Sequence, residues 1–172
     1  KLGRNILNDL WPLVRPFSPW TGKTFTPATV KKIEKYIGAD AGYYKDVAPL
    51  LLGTNTYRKD LDLSLGVTAF VEHLDAIGMA VEYPDEDEKQ EEIYVKSFFF
   101  VAENAPSIKA DCNGITVLQF NYRWPALHTM PPDNLCIDEL VQIADGLYLG
   151  QLLYSVKPEL PYSPEKNASA YR

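Results

Sequence analysis

The side chains of this sequence best suited to acid–base work from inside a fold are Glu139, His73 and His128. Glu139 stands just ahead of Leu140-Val-Gln-Ile-Ala144, which is followed by Asp145-Gly146 and by Leu147-Tyr-Leu-Gly-Gln-Leu-Leu153. An Asp-Gly pair between two apolar, strand-length runs predicts a hairpin, because a type I′ turn needs positive φ at both central positions. A two-residue loop sets Ala144 opposite Leu147, Ile143 opposite Tyr148, Val141 opposite Gly150 and Glu139 opposite Leu152. Glu139 then shares a face with Val141, Ile143, Tyr148 and Leu152, and a carboxylate among apolar groups is placed for proton transfer. The plainer alternatives are that the strand begins only at Leu140, that this face meets solvent, or that Asp138-Glu139 opens a helix capped by Asp133 or Asn134.

The two histidines belong to the residue type that titrates near neutrality. His73 sits in Phe70-Val-Glu-His-Leu-Asp75, and His128 in the Pro-rich crossing from Trp124-Pro125 to Pro131-Pro132. Neither has an HxH or HExxH partner, so no metal or other cofactor is expected. Two cations stand in aromatic strand patterns. Lys96 follows Tyr94 and precedes Phe98, and Arg123 lies between Tyr122 and Trp124. Each is of a type that can hold an anionic head group or stack on a ring, or simply reach past the strand into water. With Phe120, Tyr148 and Tyr154, the residues Tyr94, Lys96, Phe98, Tyr122 and Arg123 are the expected lining of a ligand pocket. Gly22-Lys23-Thr24 echoes the end of a phosphate-binding loop, but position 17 is Phe rather than Gly and no strand is visible before it, so a nucleotide site is rejected.

The elements that must position these residues change character along the chain. Thr26-Pro27 reads as an N-cap and first helical position, followed by Val30, Ile33, Tyr36 and Ile37 at helical spacing and Gly38 as the stop. Asp40 opens a short second helix through Tyr43, Tyr44 and Val47, ending near Leu50-Leu-Leu-Gly53, and Val67–Ile77 is a third, with a strand as its competitor. Then the period becomes two. Met79–Tyr83 is a short strand, the acidic run Asp85-Glu-Asp-Glu88 a solvated connection, Ile93–Ala102 a central strand with Lys96, Phe98 and Phe100 on one face, and Ile115–Trp124 a half-buried one after an Asn113-Gly114 turn. Helices followed by antiparallel strands predict an α+β fold: N-terminal helices packed on a curved antiparallel sheet of about five strands, or a partly closed barrel. Residues 1–172 read as one domain, helical to about 78 and β from 79 to 157, with an extended tail at 158–172.

Bulk properties narrow the function classes. A net charge of −6 lacks the basic footprint of a nucleic-acid binder, and no apolar run reaches the length of a membrane span. Cys112 and Cys136, without CxxC spacing, are expected to be free thiols, which with no signal-type start makes the cytoplasm the default compartment. The leading expectation is binding of a small hydrophobic or aromatic molecule in an apolar pocket of the sheet. A cofactor-independent isomerase, cyclase or hydratase using Glu139 or a histidine is one alternative. A structural or regulatory subunit of a homo-oligomer or larger assembly is the other.

Overall fold

The computed structural model describes residues 20–57, 72–82, 95–112, 114–131, 133–156 and 162. The chain enters on a strand, β1 (Trp20–Pro27), runs through helix α1 (Val30–Ile37) and a 3-10 segment at Gly38–Tyr44, and returns as β2 (Leu50–Tyr57) beside β1. The strands β3 (Val81–Glu82), β4 (Val95–Pro106), β5 (Thr116–Asn121), β6 (Cys136–Ala144) and β7 (Leu147–Tyr154) follow. All pair antiparallel in one sheet of order β1-β2-β4-β5-β6-β7, with β3 on β4 beside that path.

Among the described residues the N-terminal part is therefore not the helical block that its periodicity predicts, and seven strands replace about five. Cross-strand hydroxyl pairs explain the difference. Thr24 and Thr54 meet at 2.8 Å and Thr21 and Thr56 at 2.8 Å, so a polar run gains its stability from its neighbour rather than from alternation. Leu50-Leu-Leu-Gly53, expected at a helix end, is the first half of β2. Pro27 does not open α1 but ends β1, where a missing N–H is tolerated. The helix is capped instead by Thr29, whose hydroxyl accepts from the Lys32 N–H at 3.3 Å, and Gly38 (φ 63°) closes it as expected. Of Val67–Ile77, a helical stretch at 72–76 is seen and residues 67–71 lie outside the described residues.

The amphipathic stripe of α1 buries Ile33 and Ile37 on one face of the sheet, against Leu50, Leu52, Phe99, Val101, Trp124 and Leu127. Trp124 donates its indole N–H to the Tyr44 hydroxyl at 2.7 Å, tying the 3-10 segment to the end of β5, and Tyr162 stands edge-on against the same indole. Glu103 of β4 stands opposite Leu50 and Gln119 and is only 7% exposed. Burial pushes its carboxyl up to about 7, and among the described residues it makes no ion pair. Because the folded value lies above the ordinary carboxyl value of 4.5, stability from this group is complete below about 4.5 and is lost as pH rises through about 7. Glu103→Gln is accordingly expected to stabilise the protein at pH 8, by roughly 2 kcal/mol, and to change nothing at pH 4. Urea unfolding at the two pH values checks this.

Besides a register break between Trp20 and Gly22 in β1, two irregularities shape the sheet. Lys96 pairs with Thr56 and Phe100 with Gly53, so β4 spends four steps where β2 spends three. Phe98 (φ 51°) lies in this bulge, which bends and twists the strand. Lys96 and Phe100 thereby stand on opposite faces, against the simple alternation expected for Ile93–Ala102. The second irregularity is the β6–β7 turn. Of Asp145-Gly146 only Gly146 has positive φ (69°), as in a type I turn closed by a glycine bulge rather than a type I′ turn. The register shifts between Gln142 and Ala144, and Glu139 faces Gln151 instead of Leu152, Tyr148 faces Gln142 instead of Ile143, and Gly150 faces Leu140.

Candidate functional site

The face of the sheet turned away from α1 is concave. Strands β1 and β6 are four strand spacings apart in the sheet, about 19 Å if it were flat. Yet Lys23 of β1 reaches the Asp138 carboxylate of β6 with its Nζ 3.4 Å from Oδ2. Only a sheet curled into a half-barrel brings the two together. The floor of the hollow is aromatic and aliphatic: Phe100, Phe120, Tyr122 and Cys136 are buried, with Leu51, Leu118, Leu140 and Tyr154 half-buried around them. Every residue of this cluster comes from the sheet or from the chain just past its strands, and no helical residue is among them.

Each aromatic has a positional reason. Phe25 lies on Phe100 and Phe120, with ring centroids 5.6 and 5.1 Å away, and is itself partly open to solvent. Phe100 in turn crosses the backbone of Gly53, where a Cβ would come within 2.0 Å of the ring. Glycine at that position is what lets β2 pass beneath an aromatic. At one end of the hollow the surface becomes polar. The Lys23 ammonium stands 5.4 Å from the Trp20 ring and 5.7 Å from that of Tyr122, a cation–π arrangement, and the Trp20 indole donates to Asn55 Oδ1 at 2.9 Å.

Titration in this corner is governed by desolvation. Burial raises the Asp138 carboxyl above the ordinary range against the pull of Lys23 and of the Tyr122 hydroxyl. Asp133, in the 3-10 turn ahead of β6, is raised by burial as well, with Lys23 drawing it down and Asp138 pushing it up. The Cys136 thiol is pushed up to about 12, first by burial and then by those two acids. It is held as a neutral thiol rather than a nucleophilic thiolate. Cys112 and Cys136 are both free, Cys136 buried and Cys112 partly so.

The residues singled out from the sequence fall in several places. Phe120, Tyr122 and Tyr154 line the hollow. Tyr148 stands on the same side of β7 further out, and is exposed. Tyr94 lies outside the described residues. Phe98, displaced by its bulge, packs with Leu74 and Met79 instead. Arg123 donates its Nε–H to the Asn134 carbonyl at 3.3 Å and lies over the Tyr162 ring. His73 and His128 are exposed, His128 as the left-handed residue (φ 50°) after the 3-10 turn Pro125–Leu127. Among the described residues no group of His, Cys, Asp and Glu has the arrangement of a metal site, and no helix is long and apolar enough to cross a membrane.

Glu139 is 1% exposed, on the face opposite the hollow. Its oxygens accept from Ser107 Oγ (2.7 Å), the Ile108 N–H (2.7 Å), Gln151 Nε2 (2.8 Å) and, more weakly, Gln119 Nε2 (3.5 Å). It pins the β4–β5 connection to β6. The polar residues that do face the hollow, Lys23, Asn55, Asp133 and Asp138, are missed by sequence reasoning. In the sequence Gly22-Lys23 resembles only an incomplete phosphate loop, and the hairpin pattern points to Glu139 rather than to its neighbour Asp138. A cavity of about 460 Å³ opens where β1 runs into α1 and the 3-10 segment into β2, lined by Pro27, Val30, Tyr44, Val47, Pro49 and Leu51 among others. It shares Pro27 and Leu51 with the side of the sheet that forms the hollow. Comparison with models of known families, with curated proteins and with solved structures yields no match, so the geometry carries the functional reading.

Proposed function

We propose that the concave face binds a small, mainly apolar molecule bearing one neutral hydrogen-bonding group, the apolar body lying on Phe25, Leu118, Leu140 and Leu152 and the polar group at Lys23 and Asp138. The observation that carries this is the Lys23–Asp138 bridge, a paired charge at the end of an otherwise apolar, partly open hollow. Ligand sites are mostly apolar with a few convergent polar groups to set orientation. Two acids, Asp133 and Asp138, face one lysine in a desolvated corner. An additional anion there is disfavoured, so a hydroxyl, amine N–H or carbonyl suits the site better than a carboxylate.

The test uses N-phenyl-1-naphthylamine, which is neutral and has one N–H, against 1-anilinonaphthalene-8-sulfonate, of similar rings but anionic. Fluorescence titration is expected to show the neutral probe binding at least tenfold more tightly. Leu152→Glu, at a half-exposed position on the same side as Asp138, is expected to weaken the neutral probe at least tenfold with the fold intact by circular dichroism. Equal affinity for both probes, or affinity unchanged by Leu152→Glu, would remove this reading.

A further inference from the structure

We infer that β7 is the self-association edge of the protein, pairing antiparallel with β7 of a second copy about a two-fold axis. The sheet ends on β1 and β7, and the two edges are built differently. Strand β1 carries the devices that keep a free edge solitary: a register break between Trp20 and Gly22, a lysine at position 23 and a closing Pro27. Strand β7, Leu147-Tyr-Leu-Gly-Gln-Leu-Leu-Tyr154, has no charge and no proline, and no strand covers its outer side among the described residues.

Its side chains are as unprotected as its backbone. Leu147, Tyr148, Leu149 and Leu152 are 46–60% exposed, and Ile143 across the turn is 57% exposed. Leu149 projects on the α1 side with Val141, and Tyr148 and Leu152 on the concave side, so the outer hairpin is apolar on both faces. Counted over both faces of the hairpin, they present on the order of 500 Å² of largely apolar surface. Doubled across a two-fold interface, with a strand edge of about 27 Å, this approaches the area of a stable association.

A second copy fits better than a different chain because the strand is its own complement. Antiparallel self-pairing of an uncharged strand places no like charges opposite one another. With Gly150 at the centre, Tyr148 lies against the partner's Leu152 on the concave side. The two-fold contact closes on itself, and the blunted β1 edge stops further growth, so the product is a dimer and not a filament. The concave faces of the two copies then run into one trough. The dimer does not depend on what the hollow binds.

Sedimentation velocity of the 172-residue chain, from micromolar to submillimolar concentration, is expected to give twice 19.4 kDa. Leu149→Lys and Leu149→Glu are each expected to sediment as monomers with unchanged circular dichroism, because like charges then meet diagonally across the axis. Mixing the two variants is expected to restore a dimer of one copy of each. A wild-type monomer at every concentration would overturn the inference. So would a ladder of larger species, or a dimer that survives both substitutions.

Discussion

Glu139→Ala is expected to lower the unfolding free energy by about 4 kcal/mol, because the substitution strands buried donors rather than removing a surface charge. Ser107 Oγ, the Ile108 N–H and Gln151 Nε2 all point at this carboxylate from within 2.8 Å, and Gln119 adds a longer contact. An alanine satisfies none of them and leaves a void at a site that is 1% exposed. Glu139→Gln rescues little, since its amide turns a donor toward groups that already donate. For a domain of this size the alanine variant should melt roughly 10 °C below the parent. Guanidinium unfolding followed by circular dichroism checks the size of the effect. A loss under 1 kcal/mol would mean that the β4–β5 connection is not held as described.

Gly53→Ala is expected to cost about 3 kcal/mol for a single methyl group. The added Cβ would fall 2.0 Å from Cε2 of Phe100, a side chain with no exposed surface, and the ring has Phe120, Tyr122 and Phe25 around it. A packed interior of this density cannot yield that space without shifting neighbours. A double-mutant cycle separates this from a general glycine effect. Phe100→Leu should cost stability alone, yet make Gly53→Ala much less damaging, with a coupling of about 1 to 2 kcal/mol. Additive losses would show that the ring and the glycine are not in contact.

What could be read from the sequence was governed by period. Strands β4 to β7 announce themselves through alternating aromatic and aliphatic residues, and their positions are as expected apart from the ends. Helix α1 is equally plain, with Ile33 and Ile37 on its stripe and Gly38 at its end. Strand β1 was hidden because Thr-Gly-Lys-Thr-Phe-Thr takes its stability from hydroxyl pairs with β2, and a partner 30 residues away leaves no local trace.

The candidate site was less legible, for a more specific reason. Two single-residue bulges, at Phe98 in β4 and at the β6–β7 turn, each reverse the side on which later side chains emerge. Composition does not encode them. The glycine bulge at Gly146 moved Glu139 from an apolar neighbour to Gln151, and so from a supposed acid–base role to an anchoring one. The curl that joins Lys23 to Asp138 depends on the accumulated twist of five strands, which no short window contains.

Methyl-resolved NMR on leucine-labelled protein, with N-phenyl-1-naphthylamine added, asks directly where an apolar molecule settles. The methyl signals of Leu118, Leu140 and Leu152 on the concave side should move, while those of Leu50, Leu52 and Leu127 beneath α1 stay in place. Shifts confined to the leucines under the helix, or none at a saturating probe concentration, would contradict binding in the hollow of the curled sheet.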